Sequence, residues 1–242
     1  MKRKVSAASL FLLLVLPVFA ARVGEPAPPF TATDSYGHQH SLTQYKGKFV
    51  VLEWHNQGCP YTKKHYDSGN MQELQKYWTS KGVIWLTVIS SAPGEQGYVT
   101  AAQENDYVKK MNAAPTAVLL DPKGELGHLY AAKTTPQMFV INPQGQLIYD
   151  GAIDDRPTPD QFDIAGATNY VKAALEQAMA GKPVAVATSR PYGCSVKYAR
   201  YALAKNYAGF AMAVRHPVQT RKSVADLFEP LCRTPPLGRD HE

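Results

Sequence analysis

The stretch that most constrains this chain runs from Gly47 to His65. Gly47-Lys48-Phe49-Val50-Val51-Leu52-Glu53 is a short β-rich apolar run, the pattern of a buried strand. A long helical pattern follows, and Trp54-His55-Asn56-Gln57-Gly58-Cys59-Pro60-Tyr61-Thr62-Lys63-Lys64-His65 spans the junction. Cys59 therefore stands where a central strand turns into a helix. Unpaired N–H groups and the positive end of the helix dipole gather there and favour an anion, here a thiolate. Pro60 suits the first turn, because its missing N–H had no partner to lose. Lys63 and Lys64 add positive charge, so the sequence predicts a thiol of depressed pKa rather than an inert core cysteine.

The ends of the chain read differently. Lys2-Arg3-Lys4, the apolar run Val5 to Phe19 and the small residues closing at Ala20 form a signal-peptide pattern over residues 1–20. The run is broken by Pro17 and is short for a stable membrane anchor. A cleaved signal implies a periplasmic or secreted protein, in a compartment where disulfides persist. Removing those three cations from the formal net charge of +6 leaves about +3, too little for a nucleic-acid face. The remaining length suits one domain over residues 21–182 and a partly irregular C-terminal extension over 183–242.

Between these ends, Val23 to Phe30 is a proline-stiffened lead-in and Asp34-Ser35-Tyr36-Gly37-His38 a turn. The helical pattern is expected to continue from Asp67 to Lys81, with Met71, Leu74, Tyr77 and Trp78 on one face. Val83 to Ile89 is a second strand, Tyr98 to Met111 a helix and Thr116 to Leu120 a third strand. That alternation predicts parallel crossovers. Pro136 opens the strand to Ile141, and Asn142-Pro143-Gln144-Gly145 turns it into an antiparallel edge strand over Gln146 to Asp150. A last helix is predicted from Asp160 to Ala180, with Phe162, Ile164, Tyr170, Val171 and Leu175 inward.

Gly24-x-x-Ala27-Pro28-x-Phe30, the Gly37 turn, Gly47-Lys48-x-Val50-Val51-Leu52 and Cys59-Pro60 together resemble the redoxins. These form the branch of the thioredoxin superfamily that holds peroxiredoxins (alkyl hydroperoxide reductase and thiol-specific antioxidant proteins) and exported thiol–disulfide oxidoreductases. The resemblance covers roughly residues 23 to 182 and implies an α/β thioredoxin-like fold, a central mixed sheet flanked by helices. It implies that Pro136, in Thr134-Thr135-Pro136, is the cis-proline facing the active cysteine. It assigns Glu53 the place of a buried acid that moves a proton, and burial there predicts a raised pKa. The competing reading makes Glu53 a partner of Lys48 or an ordinary strand-end residue.

Thr62 occupies the position where a thioredoxin-type reductant carries its second cysteine, so Cys59 is a single-thiol site unless a distant cysteine resolves it. Cys194, within a Gly-Cys-Ser-Val-Lys-Tyr ending similar to that of exported peroxiredoxin-like proteins, is the candidate. Pairing of Cys194 with Cys232 is the rival. The peroxiredoxin pattern P-x-x-x-T/S-x-x-C is not met, since Leu52 and Asn56 fill its Pro and Thr positions, and no arginine lies between Arg22 and Arg156. The expected function is an exported thiol oxidoreductase acting on a protein thiol or disulfide partner or a hydroperoxide. It would take electrons from an external thiol donor and use no cofactor and no resident metal. Two alternatives stand beside it: a copper-binding chaperone using His55, His65 and Cys59, and a redox-inactive interaction module.

Overall fold

The computed structural model describes residues 21–199, and the signal-peptide pattern, Cys232 and the rest of 200–242 lie outside them. Its framework is a five-stranded sheet built from β3 (Val50–Trp54), β4 (Ile84–Ile89), β5 (Ala117–Leu120), β7 (Gln137–Ile141) and β8 (Leu147–Gly151), in the order β5-β4-β3-β7-β8. The first three strands are parallel, while β7 runs antiparallel to β3 and to β8. This is the mixed α/β sheet that the sequence predicts, with Gln146–Asp150 on its edge.

Every residue of β3, β4 and β7 is buried. Strands covered on both faces read as continuous apolar runs rather than alternating ones, which explains the sequence pattern around Cys59. Val50, Leu52 and Trp54 pack one way, with Leu86, Val88, Leu119, Tyr130 and Phe139. Val51 packs the other way, against Met71, Leu74 and Trp78 of α2 (Asn70–Ser80) and Val171, Ala174 and Leu175 of α5 (Tyr170–Met179). Each such side chain contributes about 1.5–3 kcal/mol on burial.

Two long helices of the sequence reading are divided in the structure. The pattern after Cys59 is α1 (Pro60–Asp67) followed by α2, with Gly69 between them in the left-handed region at φ +80°. Tyr77 is 49 % exposed, its ring lying edge-on to Trp78 and under the Lys81 ammonium. The helix expected over 160–180 is a 3-10 turn (Gln161–Gly166) followed by α5. Asn169 caps α5 by accepting from the Lys172 N–H, so the helix starts there. Val171 and Leu175 face inward as predicted, Ile164 and Tyr170 are only partly buried, and Phe162 is 90 % exposed.

The remaining elements frame the sheet ends. β1 (Thr31–Thr33) and β2 (Gln39–Ser41) make a hairpin around the Asp34–His38 turn, where the Asp34 carboxylate accepts from the Tyr36 and His38 N–H groups. α3 (Ala101–Lys110) crosses from β4 to β5, and α4 (Glu125–Leu129) is a short helix with no counterpart in the sequence reading. β6 (Thr134–Thr135) pairs antiparallel with β9 (Cys194–Ser195), so the C-terminal segment returns across the domain. Among the described residues no helix is long and apolar enough to cross a membrane.

Candidate functional site

Cys59 is the N-cap of α1, with Pro60 at the first helical position, and its side chain has 0 % exposure. The thiol donates to the Thr135 carbonyl at 3.0 Å. The Cys194 backbone N–H donates back to Cys59 Sγ at 3.4 Å. The Thr135–Pro136 peptide is cis, as the resemblance implied, and Thr135 is the residue that β9 sets opposite Cys194. The structure therefore brings Cys59, Thr135, Pro136 and Cys194 to one point, and both cysteines are free thiols.

Burial alone would push the Cys59 thiol up. Hydrogen bonds from the Cys194 thiol, from the Thr62 and Cys194 backbone N–H groups and from Thr135 outweigh it, and the pKa falls below the ordinary cysteine value. Cys194 moves the opposite way, pushed up to about 11 by burial and then by its bond to Cys59 and the charge there. Neither lysine acts as the sequence suggested. Lys63 is exposed, and Lys64 is buried with its ammonium on the Arg156 carbonyl at 2.8 Å and Asp154 at 3.6 Å. Thr62 is fully buried beside Cys59, and its hydroxyl has no partner among the protein atoms.

Glu53 lies in β3 with 0 % exposure and is not a partner of Lys48. Its carboxylate accepts from Tyr66 Oη (2.8 Å), Gln75 Nε2 (3.1 Å), Trp85 Nε1 (2.7 Å) and Thr87 Oγ1 (3.1 Å). Burial would raise this acid, but His55 and the donors outweigh it, so the pKa is lowered and the expectation of a raised value is corrected. The His55 Nδ1–Glu53 Oε1 separation of 3.7 Å is an ion-pair distance, longer than a hydrogen bond. No hydrogen bond joins Glu53 to Cys59 among the described residues.

The two histidines part company as well. His65 faces Asp154 at 3.8 Å and Tyr192 Oη at 3.3 Å, away from His55 against Glu53. Among the described residues no three His, Cys, Asp or Glu side chains are arranged to hold a metal ion. Asn56, in the position of a peroxiredoxin threonine, accepts from the Gly58 N–H at 2.9 Å and donates to Gln96. Arg156 bonds to the Gly166 carbonyl and Asp155 rather than to the cysteines.

Sequence reasoning missed what holds Cys194 in place. The Tyr192 hydroxyl donates to Asp154 Oδ1 at 2.5 Å. Tyr198 stacks on His128 at 4.1 Å and donates to the Ala132 carbonyl at 2.7 Å. The Val196 N–H reaches the Lys133 carbonyl. Between these anchors Gly193 sits at φ +129°, and a Cβ there would lie 2.0 Å from the Thr135 carbonyl oxygen. The Tyr-Gly-Cys-Ser-Val-Lys-Tyr stretch carried the signal, but its partners lie far away in the chain.

Known proteins share the sequence and the fold of this domain. The sequence profile of the AhpC/TSA family matches residues 23–150. The thiol-disulfide oxidoreductase ResA of Geobacillus kaustophilus (strain HTA426) is 27 % identical over 131 residues, covering 49 % of this chain and 74 % of that protein. ResA of Bacillus subtilis (strain 168) is 26 % identical over 125 residues, 52 % of this chain and 64 % of that protein. In fold, a hypothetical protein from Sinorhizobium meliloti 1021 superposes at a TM-score of 0.65 with 19 % identity, over 75 % of this chain and 97 % of its own. An uncharacterized conserved protein from Geobacillus kaustophilus gives 0.64 with 23 % identity, over 75 % and 94 %.

Proposed function

This chain belongs to the AhpC/TSA family, and from that premise we propose that it is an exported thiol–disulfide oxidoreductase that cycles between a Cys59/Cys194 dithiol and a Cys59–Cys194 disulfide. The observation that carries the reading is the Cys194 N–H at 3.4 Å from Cys59 Sγ, held by strand pairing beside cis-Pro136. The name shared by the ResA relatives supports the reaction class. The basic and apolar first twenty residues support export.

In the reductive direction the Cys59 thiolate attacks one sulfur of a substrate disulfide, forming a mixed disulfide and releasing the first substrate thiolate. Cys194, once deprotonated, attacks Cys59 Sγ; the mixed disulfide breaks, the second substrate thiolate leaves, and two electrons have passed to the substrate. An external thiol donor then restores both thiols. Pro136 shapes the wall facing Cys59, Thr62 offers its backbone N–H to the thiolate, and Glu53 fixes the strand behind the site rather than moving a proton. The unmet peroxiredoxin pattern, with no arginine bonded to Cys59 among the described residues, weighs against hydroperoxide as the main substrate, since the threonine and arginine donors of that pattern are not there.

The test is site-resolved mass spectrometry of the mature protein after reaction with a small disulfide. Wild type is expected to accumulate the Cys59–Cys194 bond, Cys194→Ser to trap a mixed disulfide on Cys59, and Cys59→Ser to do neither. A Cys59 that stays reduced in wild type overturns the proposal.

A further inference from the structure

Cys59 is placed for exchange and at the same time closed to it. Its side chain is fully buried, and its sulfur is engaged twice, donating to the Thr135 carbonyl at 3.0 Å and accepting from the Cys194 N–H at 3.4 Å. A disulfide can exchange with Cys59 only if one of its sulfurs reaches bonding contact with Sγ, so access sets the rate as much as reactivity does. The strand that meets the sulfur is β9, so the segment carrying the second thiol also covers the first.

That segment is fixed firmly at its base and lightly along its length. At the base the Ser189 hydroxyl meets Tyr149 Oη at 2.7 Å and the Ala152 N–H at 2.9 Å, and the Ser189 N–H reaches the Asp150 carbonyl at 3.2 Å. Arg190 is exposed, and no residue of 191–198 is buried; Tyr192 and Val196 only rest, partly covered, against the two cores. Beyond the β6–β9 pairing, the Val196 N–H bonds to the Lys133 carbonyl at 2.9 Å and the Ala92 N–H to the Lys197 carbonyl at 2.8 Å. A phenol closes each end. Tyr192 Oη donates to Asp154, whose other side is held by Lys64 and His65, and Tyr198 Oη donates to the Ala132 carbonyl. Hydrogen bonds with little apolar burial behind them mark the part of a fold that opens without global unfolding.

We propose that residues 191–198 are a strap that shuts Cys59 off from substrate, latched by the Tyr192–Asp154 and Tyr198–Ala132 hydrogen bonds, and that exchange starts only when it lifts from its base at Ser189. The inference rests on the reading of Cys59 as the reactive thiol and adds a gate to it. The strap lifts to admit the substrate disulfide, and its return carries Cys194 back to Cys59 Sγ to resolve the mixed disulfide. Exchange is then scaled down by the fraction of molecules open at any moment, as for any ligand of a minor conformer. Tyr192 and Tyr198 are positioning residues: they touch neither substrate nor sulfur, and they set that fraction.

The experiment has two arms on the reduced full-length mature protein. The first is native-state hydrogen exchange by NMR in low urea. The Cys194, Val196 and Ala92 amides, all bonded across the strap, are expected to exchange together and with little dependence on urea, whereas the β3 amides should wait for global unfolding and accelerate as urea rises. The second is alkylation of Cys59 by iodoacetamide in a Cys194→Ser/Cys232→Ser background, at a pH where the thiol is ionised, read by mass spectrometry. Tyr192→Phe and Tyr198→Phe, at opposite ends of the strap, are each expected to speed it about five- to tenfold, the effect of losing one hydrogen bond. Strap amides that exchange only with the β3 amides, or a Cys59 rate that neither tyrosine variant changes, overturns the proposal. If one variant does not fold, the other and the first arm decide. Neither arm involves a disulfide, so failure of disulfide exchange and failure of this inference remain distinguishable.

Discussion

Oxidation should stabilise this fold strongly, because the sulfurs it would join are adjacent in space and far apart in the chain. Cys59 and Cys194 are separated by 135 positions. A cross-link across a loop of that length removes chain entropy from the unfolded state worth about 5 kcal/mol at 25 °C. The folded state already sets Cys194 opposite Thr135 and its N–H on Cys59 Sγ, so little of that gain is returned as distortion. For a fold of this size each kcal/mol moves the melting midpoint by about 2–4 °C, so oxidation is expected to raise it by about 10–20 °C. The assay is far-UV circular dichroism melting of the mature protein in a Cys232→Ser background, reduced and oxidised, with the bond confirmed by mass spectrometry. Cys194→Ser should melt identically under both conditions. A confirmed Cys59–Cys194 bond with no rise in midpoint would refute the reasoning, because it would mean that Cys194 leaves its native position to form the bond.

Three further outcomes follow from buried charges. Glu53→Gln should cost about 3 kcal/mol in urea unfolding, since an amide cannot accept from the four donors that a carboxylate satisfies. Because its folded pKa lies below the ordinary 4.5, the wild-type contribution is whole above that pH and lost as pH falls through the folded value. Glu53→Gln should therefore flatten the acid limb of stability. His65 is pushed down to about 4, by burial first and by Lys64, against the opposing pull of Asp154. Between its ordinary 6.5 and 4 the unfolded chain binds a proton that the fold refuses, so stability should fall by roughly 3 kcal/mol on acidification, and His65→Gln should remove that slope. Asp154→Ala should cost about 3–5 kcal/mol by chemical denaturation, because it strands Lys64 and releases Tyr192.

The sheet and the position of Cys59 were legible because they depend on local pattern. A buried strand followed by a capped helix fixes Cys59 at a helix start, and Pro136 before an apolar strand marks the facing loop. The helix breaks were less legible. Gly69 and Asn169 sit inside continuous helical periodicity, and only the packing of α2 and α5 on the sheet selects where each helix starts. Lys64 looked like a positive neighbour of Cys59, but it lies five residues further along a turning helix and meets Asp154, some 90 residues away in sequence. Glu53 was recognisable as a buried acid. The direction of its pKa was not, because its donors come from α1, α2 and β4.

The close approach at Gly193 has a consequence for inheritance. Its place against Thr135 leaves no room for a side chain, so any second-base change in that one codon would push the Cys194 backbone off Thr135 while leaving both cysteines in the gene. Such an allele would keep both thiols in the encoded chain. On the proposed cycle it would nonetheless encode a protein that behaves as though Cys59 had no resolving partner.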